Sequence, residues 1–369
     1  MKIWPRVSIE SFCRPKQWPT IPINALEKSG YPVYGANGKI GFYSKYTHEK
    51  PTILVTCRGA TCGTINISEP FSYVMGNAMA LDELDERSVD LKFLFYALKH
   101  RGFDDTITGT AQPQITRQSF SFVEVPLPLL DEQRRIAAIL ERADAIRQKR
   151  QESIHLTEEF LRSVFLDMFG DPVTNPKGWD KAPIKDLGTV MTGNTPPREK
   201  PEYYGDGIEW IKSDNINTPN HFLTEAKERL TSEGQKVGRI VPKKSILVTC
   251  IAGSPECIGN AAIADRAVAF NQQINAVTPF EGVDPYFFYV QILVAKKLIQ
   301  QQSTESMKGM VSKGKFENIM FLKPPFTLQA KFGKVFNKVH DAFLKNNEAL
   351  SESNNLYDAI TQKAFKGEL

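Results

Sequence analysis

The chain has 369 residues, of which 41% are hydrophobic and 24% are charged, and its formal net charge is +4. This length exceeds one typical domain and suits two, each with its own core. No apolar run approaches the roughly eighteen residues of a membrane-spanning helix, so no membrane partner is expected. The mildly basic charge permits nucleic acid as a partner without requiring it.

The opening "MKIWPRVSIESF" lacks the apolar core of a signal peptide. The five cysteines are an odd number at low density. Both features favour reduced thiols and a cytoplasmic location.

Residues 1–128 are predicted to form a mixed α/β domain. "PTILVTC" at 51–57 is a short β-branched run typical of a strand. The glycines of "YGANGKIGFY" at 34–43 mark turns, and "VDLKFLFYALKHR" at 89–101 predicts a helix.

Residues 129–170 are predicted to form a long helix. Its apolar positions advance by three or four residues from Ile136 to Met168, which is the spacing of one helix face. The stripe turns polar at Arg150 and Thr157, near its middle.

Residues 171–325 repeat the framework of the first domain. "ILVTC" recurs at 246–250, an offset of 246 − 53 = 193. "VDPYFFYVQILVAKKLIQQ" at 283–301 predicts a helix in which Asp284 is the N-cap and Pro285 is the first helical residue.

Residues 326–369 are predicted to form a second long helix, which matches the first without a gap at an offset of 329 − 133 = 196. An apolar helix face of about 38 residues is about 57 Å long, which is too long to bury inside one small domain. The matched stripes therefore predict an antiparallel coiled-coil pair that separates the two domains, with the central polar residues fixing the register. The expected contacts are Ile136, Leu140, Ala143, Arg150, Ile154 and Leu161 in the first helix, and Phe332, Phe336, Val339, Asn346, Leu350 and Tyr357 in the second. The fold class is α+β, an internal repeat with pseudo-twofold symmetry.

Catalytic and metal-binding patterns are incomplete. "GMVSKGKF" at 309–316 resembles a phosphate-binding loop but lacks the Ser or Thr that would hold magnesium. Cys57, Cys62, Cys250 and Cys257 are loosely spaced for a zinc site and belong to different repeats. The partial methyltransferase motifs "DPYFF" and "NTPP" have no glycine-rich cofactor loop beside them. We therefore assign no catalytic residue and no metal ligand.

The order of motifs resembles a known family. "YPVYGANGKIGFY", "ILVTC", "GTAQPQITRQSFSFVEVPLP" and "LLDEQRRIAAIL", followed by a degenerate second set, are similar to the specificity subunit of type I restriction-modification systems. In the second set, "ESMKGMVS" replaces "GTAQPQIT" and "FTLQAKFGKVF" replaces "LLDEQRRIAAIL". The identity of the second copy therefore rests on the repeat.

The resemblance implies a subunit without catalytic activity that reads double-stranded DNA. Two target-recognition domains would each read one half of a bipartite sequence, and the chain would dock two modification subunits and further restriction subunits. S-adenosylmethionine, ATP and magnesium would be bound by those partners, so no cofactor is expected on this chain. The alternatives are a coiled-coil scaffold without a nucleic-acid role and a single-chain DNA methyltransferase or nuclease.

The helix length suggests a spacing for the two half-sites. About 50 Å of helix between the domains corresponds to about 15 base pairs. We therefore expect a target of about 13 to 16 base pairs.

Residues predicted to contact DNA are polar or cationic side chains on loops beside strands, of the types that contact bases and phosphates. In the first domain they are Tyr34, Asn37, Lys39, Arg58, Gln112, Gln114 and Arg117. In the second domain they are Lys212, Asn215, Ser254, Lys308, Lys313 and Lys315.

Overall fold

The chain divides into two compact units in the computed structural model, which describes residues 4–109, 112–304 and 309–369. The first unit comprises Met1–Gln151 and Glu348–Leu369, and the second comprises Glu152–Asn347. Both unit boundaries fall inside the two long helices, so each helix contributes one half to each unit. The two long helices were predicted as segments separate from the two domains. In the structure, one half of each long helix belongs to each compact unit.

Eight α-helices are found in the part of the chain that the structure describes. They are α1 (Leu91–Arg101), α2 (Arg117–Phe120), α3 (Leu130–Phe169), α4 (Ser232–Val237), α5 (Pro285–Val294), α6 (Lys296–Gln300), α7 (Lys313–Glu317) and α8 (Phe326–Phe365). The predicted long helices are confirmed as α3 and α8. The helix predicted over 283–301 is divided in two at Ala295. None of the helices in the described ranges is long and apolar enough to cross a membrane.

The first unit is built on a four-stranded antiparallel sheet in the order β2, β8, β5, β6. A three-stranded sheet places β3 between β4 and β7, with β3 parallel to β7, and β1 pairs with β9. The strands are β1 (Arg6–Ser8), β2 (Arg14–Gln17), β3 (Tyr31–Gly35), β4 (Gly38–Tyr43), β5 (Ile53–Thr56), β6 (Ile65–Ile67), β7 (Tyr73–Val74), β8 (Ala78–Asp82) and β9 (Glu124–Pro126).

The second unit has two four-stranded sheets, in the orders β11, β19, β15, β17 and β13, β12, β18, β14. Two further pairs join β10 to β21 and β16 to β20. The strands are β10 (Lys181–Pro183), β11 (Gly188–Thr192), β12 (Tyr204–Ile211), β13 (Arg229–Leu230), β14 (Ile240–Val241), β15 (Ile246–Thr249), β16 (Ile251–Ala252), β17 (Ala261–Ile263), β18 (Val268–Phe270), β19 (Ile274–Pro279), β20 (Gly309–Met310) and β21 (Met320–Leu322).

The two "ILVT" strands occupy equivalent places in their units. All four residues of β5 and all four of β15 are buried, and each strand pairs with antiparallel neighbours on both sides. A continuous β-branched and aliphatic run suits a central strand that is covered on both faces. The repeated sequence therefore marks the centre of each unit.

Segments of the two long helices pack antiparallel within the first unit. The Arg135 guanidinium donates to the Leu369 carbonyl at 2.9 Å, and the Arg147 guanidinium lies 4.5 Å from the Tyr357 ring centre. Ile136 and Leu140 are fully buried in the same core as Tyr357 and Ala364.

The second unit contains the other two helix segments, which are also antiparallel. The Phe165 and Phe332 rings meet edge to face at 5.5 Å, and Asn346 Nδ2 donates to Ser153 Oγ at 3.2 Å. The expected polar contact near the middle of the pair is therefore present. Its partner on α3 is Ser153, which was not among the expected contacts.

The buried stripe of α3 differs in part from the predicted one. Ile146 is 51% exposed, whereas Phe165 and Phe169 are fully buried. Near the end of α3 the buried positions advance by four, from Leu161 to Phe165 to Phe169. The predicted alternation of three and four placed the stripe one residue too early, at Val164 and Met168, which are partly buried. The expected contacts Ala143, Arg150 and Ile154 on α3, and Leu350 on α8, are also partly buried.

Candidate nucleic-acid interface

A short helical turn precedes the long helix in the first unit. The Ile115 N–H donates to the Cys57 carbonyl at 3.0 Å, which ties this segment to the end of β5. Thr116 Oγ1 then accepts the Ser119 N–H at 3.0 Å and caps α2. Phe120 is fully buried, so the turn is anchored while Arg117 remains exposed.

The same arrangement recurs in the second unit. The Val311 N–H donates to the Cys250 carbonyl at 2.8 Å, and Ser312 Oγ accepts the Lys315 N–H at 3.3 Å to cap α7. Phe316 is fully buried, and Lys313 is exposed at the position of Arg117. One framework therefore presents a cation at the same place in each unit.

Three loops of the first unit meet beside the carboxyl end of β5. The Gly59 N–H donates to the Pro113 carbonyl at 3.1 Å, and Thr61 Oγ1 donates to Asn37 Oδ1 at 2.6 Å. Arg58 and Gln114 form an antiparallel β-bridge. The structure thus brings together the predicted residues Asn37, Arg58 and Gln114, all of them exposed. Gln112 is exposed in the same loop as Gln114.

A groove of about 680 Å³ runs beside Arg117 in the first unit. Arg14 and Lys16 line it from β2, and the Lys16 ammonium lies 3.9 Å from the Trp18 ring centre. Asp82 also lines the groove, and its carboxylate forms hydrogen bonds of 2.9 Å with Trp18 Nε1 and His48 Nε2. Arg14 and Lys16 were not among the predicted residues. Arg14 and Lys16 are two residues apart in "RPKQW", so their side chains lie on the same side of a strand. This spacing could have identified both residues from the sequence.

Another cluster of cations and aromatic rings lies in the second unit. The Arg198 guanidinium lies 4.4 Å from the Tyr204 ring centre and 4.9 Å from that of Trp210. Glu228 forms ion pairs with Arg198, at 2.8 Å, and with the predicted residue Lys212. Arg198 was not predicted, because its ion-pair partner Glu228 is 228 − 198 = 30 residues away in the sequence and only the fold brings the two together.

The remaining predicted cations occupy varied surroundings. Lys39 is exposed and pairs with Glu69 at 3.1 Å. Lys315 is exposed, and its ammonium donates to the Gln302 carbonyl at 3.1 Å. Ser254 is exposed before a short helical turn, Pro255–Cys257. Lys308 lies outside the described residues.

Two predicted DNA contacts are wrong in their placement. Tyr34 is 7% exposed, and its hydroxyl accepts the Glu69 N–H at 3.1 Å. Burial raises the pKa of Tyr34 above its ordinary value. Asn215 is 7% exposed, accepts the Lys212 N–H at 3.0 Å and donates to the Glu225 carbonyl at 3.0 Å. Neither side chain is exposed on a surface turn, because each is buried and hydrogen-bonded to backbone groups that the sequence does not reveal.

The cysteine thiols are divided between the units. Cys57 and Cys62 belong to the first unit, and Cys250 and Cys257 belong to the second. Burial raises the pKa of Cys250 to about 12, so this thiol is protonated at neutral pH. Over residues 4–109, 112–304 and 309–369, no three His, Cys, Asp or Glu side chains are grouped as a metal ion would require.

Comparison with known proteins identifies similar sequences. A family model described as "Type I restriction modification DNA specificity domain" matches residues 1–156 and 176–353. The HindI specificity subunit of a type I restriction enzyme from Haemophilus influenzae is 26% identical over 205 residues, which is 53% of this chain and 42% of that protein. The MjaIX specificity subunit from Methanocaldococcus jannaschii is 35% identical over 119 residues, 31% of this chain and 27% of that protein. The matched region thus spans less than half of either relative.

Solved structures with a similar fold were also found. The S subunit of a type I restriction-modification system from M. genitalium has a TM-score of 0.66 at 18% identity, covering 98% of this chain and 96% of that chain. A chain from a study of complex assembly and conformational transition in a type I R-M system has a TM-score of 0.54 at 16% identity. The match covers 99% of this chain and 98% of that chain. These matches confirm the α+β fold with two repeats.

Proposed function

This chain belongs to the type I restriction modification DNA specificity domain family, and on that basis we propose that it is the subunit that reads a bipartite double-stranded DNA target in the cytoplasm. The observation that carries this proposal is the repeated, capped turn that exposes Arg117 in one unit and Lys313 in the other. Cations on anchored turns bind phosphates at low entropic cost. The different side chains around each turn would read different half-sites.

Mapping of methylated adenines in cells tests this function. The chain is expressed with its cognate modification subunit, and methylated sites are compared with those from cells that lack the chain. We expect one motif with two fixed parts and an unspecified gap. Methylation that does not depend on this chain, or an unbroken motif, would contradict the proposal.

We further propose that two modification subunits dock on the long helices. In the first unit, a groove of about 310 Å³ between the two helix segments includes Ile146 and Leu356. Leu356 is 60% exposed, and its repeat equivalent at 356 − 196 = 160, Phe160, is 56% exposed. Equivalent exposed apolar side chains suit two copies of one partner. The restriction subunits would join this assembly.

Glutamate substitutions test this docking by the stoichiometry of the complex. Leu356→Glu and Phe160→Glu should each remove one modification subunit, and the double variant should remove both, as measured by the mass of the purified complex. Glu substitution of Leu344, which is 50% exposed on α8, is the matched control and should leave two subunits bound.

Catalysis and its cofactors belong to the partner subunits in this proposal. S-adenosylmethionine, ATP and magnesium would be bound there, and this chain would contribute sequence recognition alone. Titration calorimetry of the isolated chain with S-adenosylmethionine should give no binding heat, and incubation with DNA should give neither methylation nor cleavage. Methyl transfer by the isolated chain would favour a single-chain methyltransferase instead.

A further inference from the structure

A cavity of about 740 Å³ lies in the second unit. Its walls come from α3, α5 and the loop over residues 216–221. Its volume is within the range of cavities that hold small ligands or a large side chain. The apolar part of the lining includes Leu161, Ile216, Pro219 and Leu293.

Glu158 supplies an unpaired negative charge in this cavity. Its side chain is half-buried, and its carboxylate forms no ion pair or hydrogen bond with the described residues. Burial raises the pKa of Glu158 above its ordinary value, since water is partly excluded there. The neighbouring Glu159 differs, because it is exposed and pairs with His155 at 3.3 Å. Arg162 also lines the cavity, but it forms no ion pair with Glu158.

His221 supplies a second polar group whose bonding is incomplete. It is 7% exposed and lines the cavity, and its Nδ1 lies 3.2 Å from the Tyr289 hydroxyl. Its Nε2 has no hydrogen-bond partner among the described residues. Burial lowers the pKa of His221 to about 4, so the ring is neutral at pH 7. A proton on Nδ1 would leave Nε2 as an acceptor.

We propose that this cavity binds a guanidinium group, with the Glu158 carboxylate as its counter-ion and His221 as a second acceptor. A guanidinium is planar and weakly hydrated, so it can lie against apolar walls while its N–H groups bond to separate acceptors. A compact ammonium would lose more hydration and would not use both acceptors as well. The group could belong to an arginine of a partner polypeptide or to a free small molecule, since the chemistry is the same.

Titrations of the full chain with three probes test this proposal, with nuclear magnetic resonance as the readout. The probes are ethylguanidinium, butylammonium and the peptide acetyl-Gly-Arg-Gly-amide. We expect saturable binding of ethylguanidinium, with affinity at least about tenfold above that of butylammonium. Affinity for the peptide about tenfold above that for ethylguanidinium would identify a polypeptide as the source, and equal affinities would identify a small molecule.

Variants assign the binding to the cavity. Glu158→Gln should lower the ethylguanidinium affinity about tenfold or more, whereas the matched control Glu159→Gln should change it less than about twofold. Val294 lines the cavity, so the larger side chain of Val294→Phe should fill part of the cavity and abolish binding. Absence of saturable binding, equal affinity for butylammonium or unchanged affinity of Glu158→Gln would each overturn the proposal. None of these measurements involves DNA, so their outcome is independent of the function proposed above.

Discussion

The side-chain oxygen of Gln133 accepts the backbone N–H of Asp90 at 2.9 Å, and Asp90 caps α1. The same bond recurs in the second unit, where Gln329 Oε1 accepts the N–H of Asp284 at 3.0 Å and Asp284 caps α5. Each glutamine also donates to a proline carbonyl before its long helix, Pro128 at 2.8 Å or Pro324 at 2.7 Å. A buried amide thus joins the long helix of each repeat to the start of a domain helix.

Gln133→Ala should destabilise the first unit by about 1–3 kcal/mol, because it leaves buried backbone groups without partners. Gln329→Ala should do the same in the second unit. Urea unfolding measures the loss, and Gln151→Ala, at an exposed position of α3, is the control that should change stability little. Equal stability of Gln133→Ala and Gln151→Ala would show that the amide does not hold the helix start.

Alanine at both Arg117 and Lys313 should weaken binding of duplex DNA and reduce its dependence on salt. If each cation contacts one phosphate, the slope of log affinity against log salt concentration should fall by about 2. Binding titrations at several salt concentrations provide the measurement. Alanine at both Lys50 and Lys236 is the control, since these exposed lysines lie outside the two capped turns α2 and α7. An unchanged slope in the Arg117 and Lys313 variant would remove these residues from the interface.

Substitution of the buried residues Tyr34 and Asn215 should lower the stability of the protein more than its affinity for DNA. Asn215→Ala leaves the Lys212 N–H and the Glu225 carbonyl without their partner and should lower the free energy of unfolding by about 1–3 kcal/mol. Below the unfolding temperature, DNA affinity should stay within about twofold of the parent. A large loss of affinity in a folded Asn215→Ala protein would restore Asn215 as a DNA contact.

The stability of the second unit should depend on pH through His221. Its folded pKa of about 4 lies below the ordinary value of 6.5, so the unfolded chain takes up the proton first as pH falls. The contribution of neutral His221 to the free energy of unfolding is complete above pH 6.5. It is lost between about pH 6.5 and 4, at up to about 1.4 kcal/mol per pH unit. His340 adds to this trend, because burial lowers its pKa as well.

Urea unfolding at pH 7.5 and 5 measures this dependence. His221→Phe should show a smaller difference between the two pH values than the parent. His155→Gln is the control, since His155 is exposed on α3. An identical pH dependence in His221→Phe would show that another group is responsible.

Lengthening both long helices should widen the gap between half-sites. Four residues inserted near Glu152 in α3, with four more near Glu348 in α8, add about 6 Å to each helix, or one to two base pairs. The double insertion should be more stable than either single insertion, because only the double one keeps the packed stripes in register. Methylation mapping should show unchanged half-site sequences and a longer gap. An unchanged gap would mean that the helices do not set the spacing.

The sequence by itself determined the repeat, the two long helices and the central strands. A helix face repeats every three or four residues, and a buried β-branched run marks a strand, so both signals are local. The N-cap role of Asp284 was likewise readable from the proline that follows it and is confirmed by its hydrogen bonds. These features need no knowledge of distant residues.

Only the tertiary structure decided which polar side chains are exposed. Tyr34 and Asn215 have the residue types of a reading surface, yet both are buried against backbone groups from other segments. Arg14 and Lys16 meet Arg117 in one groove although about a hundred residues separate them. Burial and hydrogen bonding depend on contacts between segments distant in sequence, and local patterns do not encode those contacts.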